Sequence, residues 1–213
     1  MNLGLLVVGL IGYAIGCIPT AWIAMKFTHG KDIRNEGTGN VGAHNVYDVS
    51  GSKWLSITVG VVDALKGVAA VYAAQLLHGD WFAAVAVSGT AVVLGHNWNA
   101  LLRFKGGRGL ATATGVFAMV DPLFLIVWWI TYLTGFFAIK KNVHVGSMTA
   151  IIGTAVLAWS TPDRVIRDTT LVVCHDPMQM RLFVAAVSLL LFIRHIEPIR
   201  EVLRTMSFTD DEE

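Results

Sequence analysis

The chain has 213 residues, of which 54% are hydrophobic and only 15% are charged, and its formal net charge at pH 7 is +1. Soluble globular domains contain about 25% charged residues, so this chain has too little polar surface to cover itself in water. The small net charge argues against a nucleic-acid partner. Its two cysteines, Cys17 in an apolar run and Cys174 in a distant polar loop, indicate neither a disulfide framework nor a metal site.

The first apolar run extends without a charge from Leu3 to Met25 and has no basic residue before it. This run is longer than the core of a signal peptide, so we interpret it as a retained spanning helix. A helix needs about 20 apolar residues to cross the hydrocarbon core of a bilayer. By that criterion, further spans are predicted at 54–78, 81–102 and 142–162. The run 182–193 is shorter, and it is long enough to span if the flanking Arg181 and Arg194 snorkel.

The stretch 109–139 is either one tilted span or two short ones. As one helix it would be about 46 Å long, whereas the hydrocarbon core is about 30 Å thick. Asp121-Pro122 interrupts it, and proline is tolerated at the start of a helix better than inside one. Two spans place twelve Lys and Arg residues on one side and three on the other, whereas one span places ten against five. The positive-inside rule favours the larger bias.

We therefore predict an all-α, polytopic integral membrane protein of about seven short transmembrane helices, with a single domain covering residues 1–213. The N-terminus is predicted to lie outside the cell, and the Gly-rich loops and the C-terminus to lie in the cytoplasm. The twelve cations assigned to the cytoplasmic side are Lys26, Lys31, Arg34, Lys53, Arg103, Lys105, Arg108, Lys140, Lys141, Arg194, Arg200 and Arg204.

The first cytoplasmic loop carries the run Gly37-Thr38-Gly39-Asn40-Val41-Gly42. The run matches GxGxxG, but a spanning helix precedes it where a dinucleotide-binding fingerprint requires a strand. Glycines nevertheless let backbone N–H groups approach an anion closely. The alternative, a flexible connector, does not need polar side chains around the glycines. The candidate phosphate-binding residues here are Arg34, Gly37, Thr38, Gly39, Asn40, Gly42 and Asn45.

The second cytoplasmic segment, residues 95–115, interleaves cations with glycines immediately before a predicted helix. Helix N-termini favour anions through their free N–H groups and the macrodipole, so a phosphate site is predicted here as well. The alternative is a set of basic anchors at the lipid headgroups, which would not require three glycines. The candidate residues are His96, Asn97, Lys105, Gly106, Gly107, Arg108 and Gly109.

Ionisable residues inside the predicted spans also need an explanation. Asp63 and Lys66 would be costly in lipid without partners, so we expect them to face the bundle interior and to pair. His195 follows the last span beside Arg194 and could reach an anion held by the loops. No HExxH spacing and no GxSxG elbow occurs, so an enzyme built on this sequence is expected to use no covalent nucleophile.

Several different short segments follow one another along the chain in a recognisable order. They are Gly16-Cys17-Ile18-Pro19, Lys26, Asp32-Ile33-Arg34, Gly37-Thr38-Gly39-Asn40, Gly42-Ala43, Asn45, Asp63-Ala64-Leu65-Lys66-Gly67, Gly95-His96-Asn97-Trp98, Phe104-Lys105-Gly106-Gly107-Arg108-Gly109 and Arg194-His195. In this order they resemble the PlsY family of bacterial membrane acyltransferases, which acylate glycerol 3-phosphate with an acyl-phosphate donor.

The resemblance implies a seven-span enzyme of the cell membrane whose active site faces the cytoplasm. It implies transfer of an acyl group from acyl phosphate to the 1-hydroxyl of sn-glycerol 3-phosphate, giving 1-acylglycerol 3-phosphate (lysophosphatidic acid) and phosphate for phospholipid biosynthesis. An acyl phosphate is already activated, so positioning and charge stabilisation suffice, and the donor's phosphate is thought to assist deprotonation. No metal, coenzyme A or other cofactor is implied. The soluble enzyme that makes acyl phosphate is an implied functional partner.

We predict catalytic roles for five residues and substrate-binding roles for the other candidates above, together with His44, His144 and Ser147. The five predicted catalytic residues are Thr38, Asn40, Lys105, Arg108 and His195.

The sequence departs from the family pattern chiefly where the acceptor is expected. Asp48 stands in place of an arginine, His144 in place of a serine, and Pro198 in place of an asparagine. These changes leave open a different phosphorylated or polyol acceptor, or a non-catalytic or transport paralogue. Smaller changes are Thr38 for serine, Arg108 for lysine, His44 for threonine and Asn99 for proline.

Overall fold

The structure is a computed structural model that describes residues 3–139 and 141–207, so the predicted cytoplasmic Lys140 lies outside the described residues. The described residues form ten α-helices and no β-strand, which confirms the all-α prediction. The helices are α1 (Leu3–Gly16), α2 (Thr20–His29), α3 (Ala43–Ser50), α4 (Lys53–His78), α5 (Phe82–Asn97), α6 (Leu110–Val120), α7 (Pro122–Ala138), α8 (Val143–Ser160), α9 (Asp163–Thr169) and α10 (Pro177–Ser207). Short 3-10 turns cover Ile33–Asn35 and Ala100–Leu102.

The first predicted span is broken where a continuous helix was expected. α1 ends at Gly16, and α2 begins after Pro19 and continues to His29. Proline has no N–H, and its ring disfavours the helical conformation of the preceding residue, so the helix is interrupted at Ile18. The carbonyl oxygen of Ile18 accepts a hydrogen bond from Lys66 Nζ at 2.6 Å. The break therefore provides a backbone partner for a lysine of α4.

The stretch 109–139 forms two helices, as the charge distribution predicted. α6 ends before Asp121, whose side chain caps α7 by accepting a hydrogen bond from the N–H of Leu123 at 2.9 Å. Four described segments are long and apolar enough to cross a bilayer, and the total of seven spans stays a prediction. The four segments are Leu3–His29, Lys53–His78, Val143–Ser160 and Pro177–Arg204.

Small residues let the helices approach closely. A Cβ atom added to Gly67 of α4 would lie 2.2 Å from the carbonyl oxygen of Thr112, and one added to Gly115 of α6 would lie 1.9 Å from that of Ala64. Because lipid is as apolar as the side chains, membrane helices associate mainly through close packing of this kind. The contact fixes α6 against α4. In the same way α1 packs on α5, and α8 packs between α7 and α10.

The buried apolar residues form two clusters. The larger cluster contains residues of α1 and of every helix from α4 through α10. Large apolar side chains such as Leu10 and Leu76 are exposed on the outside of the bundle. The smaller cluster joins α2, α3 and the first Gly-rich loop around Met25, Ile33 and Val46. The loop therefore has a core of its own at one end of the bundle. That residues 1–213 form a single domain stays a prediction.

Candidate active site

One end of the bundle contains a cavity of about 210 Å³. It is formed where both Gly-rich loops meet the start of α8 and the middle of α10, so segments far apart in sequence share one site. Nine of the predicted site residues line it: Asn40, Gly42, His44, His96, Arg108, Gly109, His144, Ser147 and His195. The remaining lining residues are Ala43, Asp63, Leu110, Ala111, Tyr132 and Val143.

The first wall of the cavity is the N-terminus of α3. Gly42 occupies the N-cap position, and no side chain caps this helix. Among the described residues, the N–H groups of Ala43, His44 and Asn45 have no hydrogen-bond partner. The unpaired N–H groups and the positive end of the helix dipole favour an anion at this wall.

A second wall is the N-terminus of α6, which also begins after a glycine and has no side-chain cap. Gly109 has a φ of 80°, in the left-handed region that favours glycine. Within the described part of the chain, the N–H groups of Arg108, Gly109 and Leu110 have no hydrogen-bond partner. Two uncapped helix N-termini thus face a single cavity.

Close packing explains the glycines before α6. A Cβ atom on Gly107 would lie 2.2 Å from His96 Nε2, and one on Gly109 would lie 2.5 Å from Asn97 Oδ1. Gly106 and Gly107 are buried against the end of α5, so they shape the loop and do not line the cavity. Asn97 is also buried, and its Nδ2 donates to the carbonyl oxygen of Leu190 at 3.3 Å.

Arg108 is the permanent cation among the lining residues, and it forms no ion pair within the described part of the chain. Burial, followed by the like charge of Arg194, lowers the pKa of Arg108 below its ordinary value. Its Nη1 lies 3.3 Å from His144 Nδ1. Because a guanidinium only donates, this contact places the lone pair of neutral His144 on Nδ1 and its proton on Nε2. The pair can donate to an anion.

His195 presents an acceptor to the cavity. Its Nδ1 lies 2.7 Å from the carbonyl oxygen of Leu191. A carbonyl only accepts, so Nδ1 carries the proton and Nε2 of the neutral ring has the lone pair. The side chain is 1% exposed, and Nε2 has no hydrogen-bond partner among the described residues. A hydroxyl group in the cavity would satisfy it.

Asp63 and Lys66 pair as predicted, with Lys66 Nζ 2.6 Å from Asp63 Oδ1. Both are buried on α4, and His96 Nδ1 lies 3.8 Å from the same carboxylate oxygen. Asp63 also lines the cavity. Removing one partner of a buried ion pair is costly. This pair therefore holds Asp63 and the neighbouring His96 in one arrangement beside the cavity.

Asn45 organises the first loop. Its Oδ1 accepts from the N–H of Thr38 at 3.0 Å, and its Nδ2 donates to the carbonyl oxygens of Glu36 and Asn40, each at 3.0 Å. Thr38 and the neighbouring Gly37 and Gly39 lie in this loop but do not line the cavity. The side chain of Asn45 therefore fixes the backbone that leads to α3.

Arg34 and Lys105 also lie away from the cavity lining. Arg34 Nε donates to Asp32 Oδ1 at 2.9 Å, and this hydrogen bond holds the pKa of the Asp32 carboxyl well below its usual range. Lys105 is exposed. That these two residues bind substrate or act in catalysis stays a prediction.

An apolar groove of about 390 Å³ adjoins the polar cavity. The two spaces share Leu110, Ala111 and Tyr132 as lining residues. The groove is otherwise lined by Gly60, Val61, Ala64, Thr114, Trp128 and Trp129 of α4, α6 and α7. Together the two spaces suit a substrate with an anionic head and a long apolar chain.

Three residues of this region were missing from the predicted site: Asp63, Tyr132 and Arg194. Asp63 carried a signal, because an ionisable residue within a span is a candidate for function. Tyr132 lies in an apolar run with nothing to distinguish it. Arg194 Nε and Nη2 donate to the carbonyl oxygens of Gly107 and Gly106, at 3.0 and 2.9 Å. These backbone contacts leave no pattern in the sequence.

The chain is similar to known proteins over most of its length. Residues 6–205 match the family model described as glycerol-3-phosphate acyltransferase. A glycerol-3-phosphate acyltransferase of Thermoanaerobacter sp. is 43% identical over 143 residues, which cover 67% of this chain and 70% of the relative. One from Macrococcus caseolyticus is 32% identical over 198 residues, which cover 91% of each chain.

Two solved structures share the fold. Both are crystal structures of PlsY, an integral membrane glycerol 3-phosphate acyltransferase. The glycerol 3-phosphate form superposes with a TM-score of 0.78 at 29% identity, covering 94% of this chain and 92% of that one. The lysophosphatidic acid form gives a TM-score of 0.76 at 28% identity.

Proposed function

This chain belongs to the glycerol-3-phosphate acyltransferase (PlsY) family, and we propose that it transfers an acyl group from acyl phosphate to the 1-hydroxyl of sn-glycerol 3-phosphate. The products are 1-acylglycerol 3-phosphate and orthophosphate. The observation that carries the proposal is the pair of uncapped helix N-termini, of α3 and α6, that both line one cavity. Each suits one phosphate group, and the reaction brings together two substrates that each carry a phosphate group.

The apolar groove supports a donor with a long chain. In the proposed arrangement the phosphate of the donor lies at the start of α6 beside Arg108, and the acyl chain extends past Tyr132 into the groove. Each buried CH₂ group of the chain contributes about 0.8 kcal/mol. The groove therefore selects a donor that is dissolved in the membrane.

The reaction needs little from the protein beyond position and charge. The acceptor hydroxyl attacks the acyl carbon, the bond from that carbon to the phosphate oxygen breaks, and orthophosphate leaves with the hydroxyl proton. Before the attack, His195 Nε2 accepts a hydrogen bond from a hydroxyl group of the acceptor and aligns it. Arg108 and the N–H groups of α6 stabilise the leaving phosphate. Thr38 and Asn40 act through the backbone of the first loop, which leads to the acceptor wall.

The acceptor phosphate is proposed to lie at the start of α3, near His44 and His144. One observation favours a second candidate, a polyol acceptor without a phosphate. Asp48 Oδ2 lies 3.6 Å from His44 Nε2, so a carboxylate stands at the edge of the proposed acceptor wall. A carboxylate repels a phosphate and accepts hydrogen bonds from hydroxyl groups.

The test uses purified protein in lipid nanodiscs with palmitoyl phosphate and a panel of acceptors: sn-glycerol 3-phosphate, glycerol, and dihydroxyacetone phosphate. We expect release of phosphate and formation of 1-acylglycerol 3-phosphate with the first acceptor. Turnover with glycerol alone would select the polyol candidate. Absence of phosphate release and of acylated product with every acceptor would contradict the proposed function.

Gly60 tests the position of the acyl chain. A Cβ atom at Gly60 would meet only Ala43 Cβ, at 3.6 Å, so a larger side chain can enter the groove without a clash at its base. We expect Gly60→Leu to lower kcat/KM for palmitoyl phosphate about tenfold while octanoyl phosphate is affected less, because the side chain displaces several CH₂ groups. Equal effects on both donors would contradict this placement.

The proposed orientation places the cavity at the cytoplasmic face of the cell membrane, as the distribution of Lys and Arg predicts. There the soluble enzyme that makes acyl phosphate could deliver its product to the groove. Labelling of a single cysteine introduced at exposed Lys31, in intact cells and in inverted vesicles, tests the orientation. Labelling of Lys31→Cys only in inverted vesicles is the expected result, and labelling in intact cells would contradict it.

A further inference from the structure

Arg194 lies on α10 behind the loop that precedes α6. Its guanidinium donates to two successive backbone carbonyl oxygens, from Nη2 to Gly106 at 2.9 Å and from Nε to Gly107 at 3.0 Å. Its Cζ lies 5.8 Å from the ring centroid of Trp98, within the range of a cation–π contact. Arg194 does not line the cavity. The guanidinium therefore contacts the backbone of the loop and not the cavity.

These two hydrogen bonds fix the direction of the N–H groups that follow. In a planar trans peptide the N–H points opposite to the preceding carbonyl. With the Gly106 carbonyl held by Arg194, the N–H of Gly107 points to the other side, where it donates to the carbonyl oxygen of His96 at 3.0 Å. With the Gly107 carbonyl held in the same way, the N–H of Arg108 also points away from Arg194. Within the described residues that N–H has no partner.

We propose that Arg194 is a positioning residue that orients the backbone N–H of Arg108, and with it the start of α6, toward a bound phosphate. The inference rests on the proposed function, in which this wall binds the phosphate of the donor. Stabilisation by N–H groups is strongest when they are oriented before the anion arrives. The planar fork of a guanidinium can hold two carbonyls at once, whereas the ammonium of a lysine is a single point charge.

Arg181 offers an internal comparison on the same helix. Its guanidinium also donates to two carbonyl oxygens, those of Ala158 at 3.3 Å and Thr161 at 2.9 Å, but it is neutralised by Asp163 Oδ1 at 2.7 Å. Arg194 has no carboxylate within ion-pair distance among the described residues. Its charge therefore adds to that of Arg108 on the phosphate wall, while Arg181 only fastens helices together.

The experiment compares Arg194→Lys with Arg181→Lys in the full chain in nanodiscs. Binding of orthophosphate is measured by titration calorimetry, and thermal stability is measured on the same samples. We expect Arg194→Lys to weaken phosphate binding about tenfold, since one charge-assisted hydrogen bond is worth roughly that factor. Arg181→Lys is expected to lower the thermal stability and to leave phosphate binding unchanged. Wild-type affinity in Arg194→Lys, or equal weakening in Arg181→Lys, would overturn the inference.

A second variant separates position from loss of folding. In Arg194→Ala, guanidinium ion at millimolar concentration is expected to restore part of the phosphate affinity, because it can occupy the place of the missing side chain. No restoration, with Arg194→Ala folded, would count against the inference.

Because phosphate binding needs no turnover, failure of the inference and failure of the proposed function can be told apart. Phosphate binding that depends on Arg194 without acyl transfer would contradict only the proposed function, and acyl transfer with unaltered phosphate binding in Arg194→Lys would contradict only the inference.

Discussion

The two ends of the helix bundle differ in how many of their polar side chains lack a partner. At the end formed by α9 and the start of α10, Asp121 accepts hydrogen bonds from the hydroxyls of Thr169 and Thr170, and Arg181 is paired with Asp163. At the cavity end, Arg108 has no carboxylate partner and His195 Nε2 has no hydrogen-bond partner within the described chain. The first end is complete by itself. The second has donors and an acceptor that a phosphorylated substrate would satisfy.

This contrast separates polar residues that stabilise the fold from those that await a ligand. Unpaired buried polar groups cost free energy, and a protein retains them where binding or catalysis uses them. Substitutions at the cavity end should therefore change activity more than stability, and those at the other end should do the reverse.

The largest effect is expected for Arg108→Ala. Removing the cation from the cavity wall takes away charge stabilisation of the leaving phosphate, so kcat/KM should fall by about 100- to 1000-fold. Lys105→Ala is the matched comparison from the same loop, and because Lys105 is exposed, its effect should be much smaller. Steady-state phosphate release measures both. Full activity of both variants at low substrate concentration would show that this loop does not bind the phosphate.

His195→Ala comes next. Without an acceptor to align the hydroxyl, kcat should fall about 100-fold, while KM for the acyl-phosphate donor should change little. His175→Ala serves as the control, because His175 is an exposed histidine near the other end of the bundle. If the loss in His195→Ala appears only in KM for the donor, His195 contacts the donor and does not align the acceptor.

Gly109→Ala should give an intermediate effect on both activity and stability. The left-handed backbone alone costs about 1 kcal/mol for alanine, and the new Cβ atom would also displace Asn97 Oδ1, which is 2.5 Å away. Activity should fall about tenfold because the first N–H groups of α6 shift. Gly51→Ala is the control, since Gly51 has a φ of 68° with nothing within 4 Å of the added atom. Equal activity in the two variants would show that the start of α6 tolerates displacement.

Asp121→Ala should have the smallest effect on activity. Asp121 is fully buried, caps α7 and accepts from two threonines. Its loss should lower the free energy of unfolding by about 2 kcal/mol, read as a lower midpoint of thermal unfolding, with unchanged kcat/KM. Asp121→Asn, which retains a capping oxygen, should lose less. A strong loss of activity in Asp121→Ala would mean that the two ends are coupled.

The sequence was most informative where a single local rule decides the structure. Hydropathy indicated most of the helices, and Asp121-Pro122 marked the boundary between α6 and α7 because proline starts helices well. The same reasoning at Pro19 was overridden by the length of the surrounding apolar run, so the break between α1 and α2 was missed. Long apolar runs indicate membrane insertion, but they do not show whether a helix is continuous.

The sequence indicated the two loops that form the site, but it did not indicate the side-chain contacts that hold them in place. The glycines before α3 and α6 indicated the two uncapped helix N-termini that line the cavity, because backbone exposure depends on local residue type. Arg194 contacts carbonyl oxygens 87 and 88 residues away along the chain, and any residue has a carbonyl oxygen. The side chain of Asn45 braces the first loop, and that Asn45 binds substrate stays a prediction. Such assignments depend on which way a side chain points, and that is set by packing.

Three of the helices are shorter than a typical hydrocarbon core, whereas α4, with 26 residues, is longer. α5 has 16 residues, α7 has 17 and α8 has 18, lengths of about 24 to 27 Å, whereas a typical hydrocarbon core is about 30 Å thick. A bilayer adapts to short helices by thinning around them. The mouth of the groove would then lie where acyl tails are compressed, and thicker bilayers would oppose that deformation. The thickness of the host bilayer therefore becomes a variable of the protein's stability.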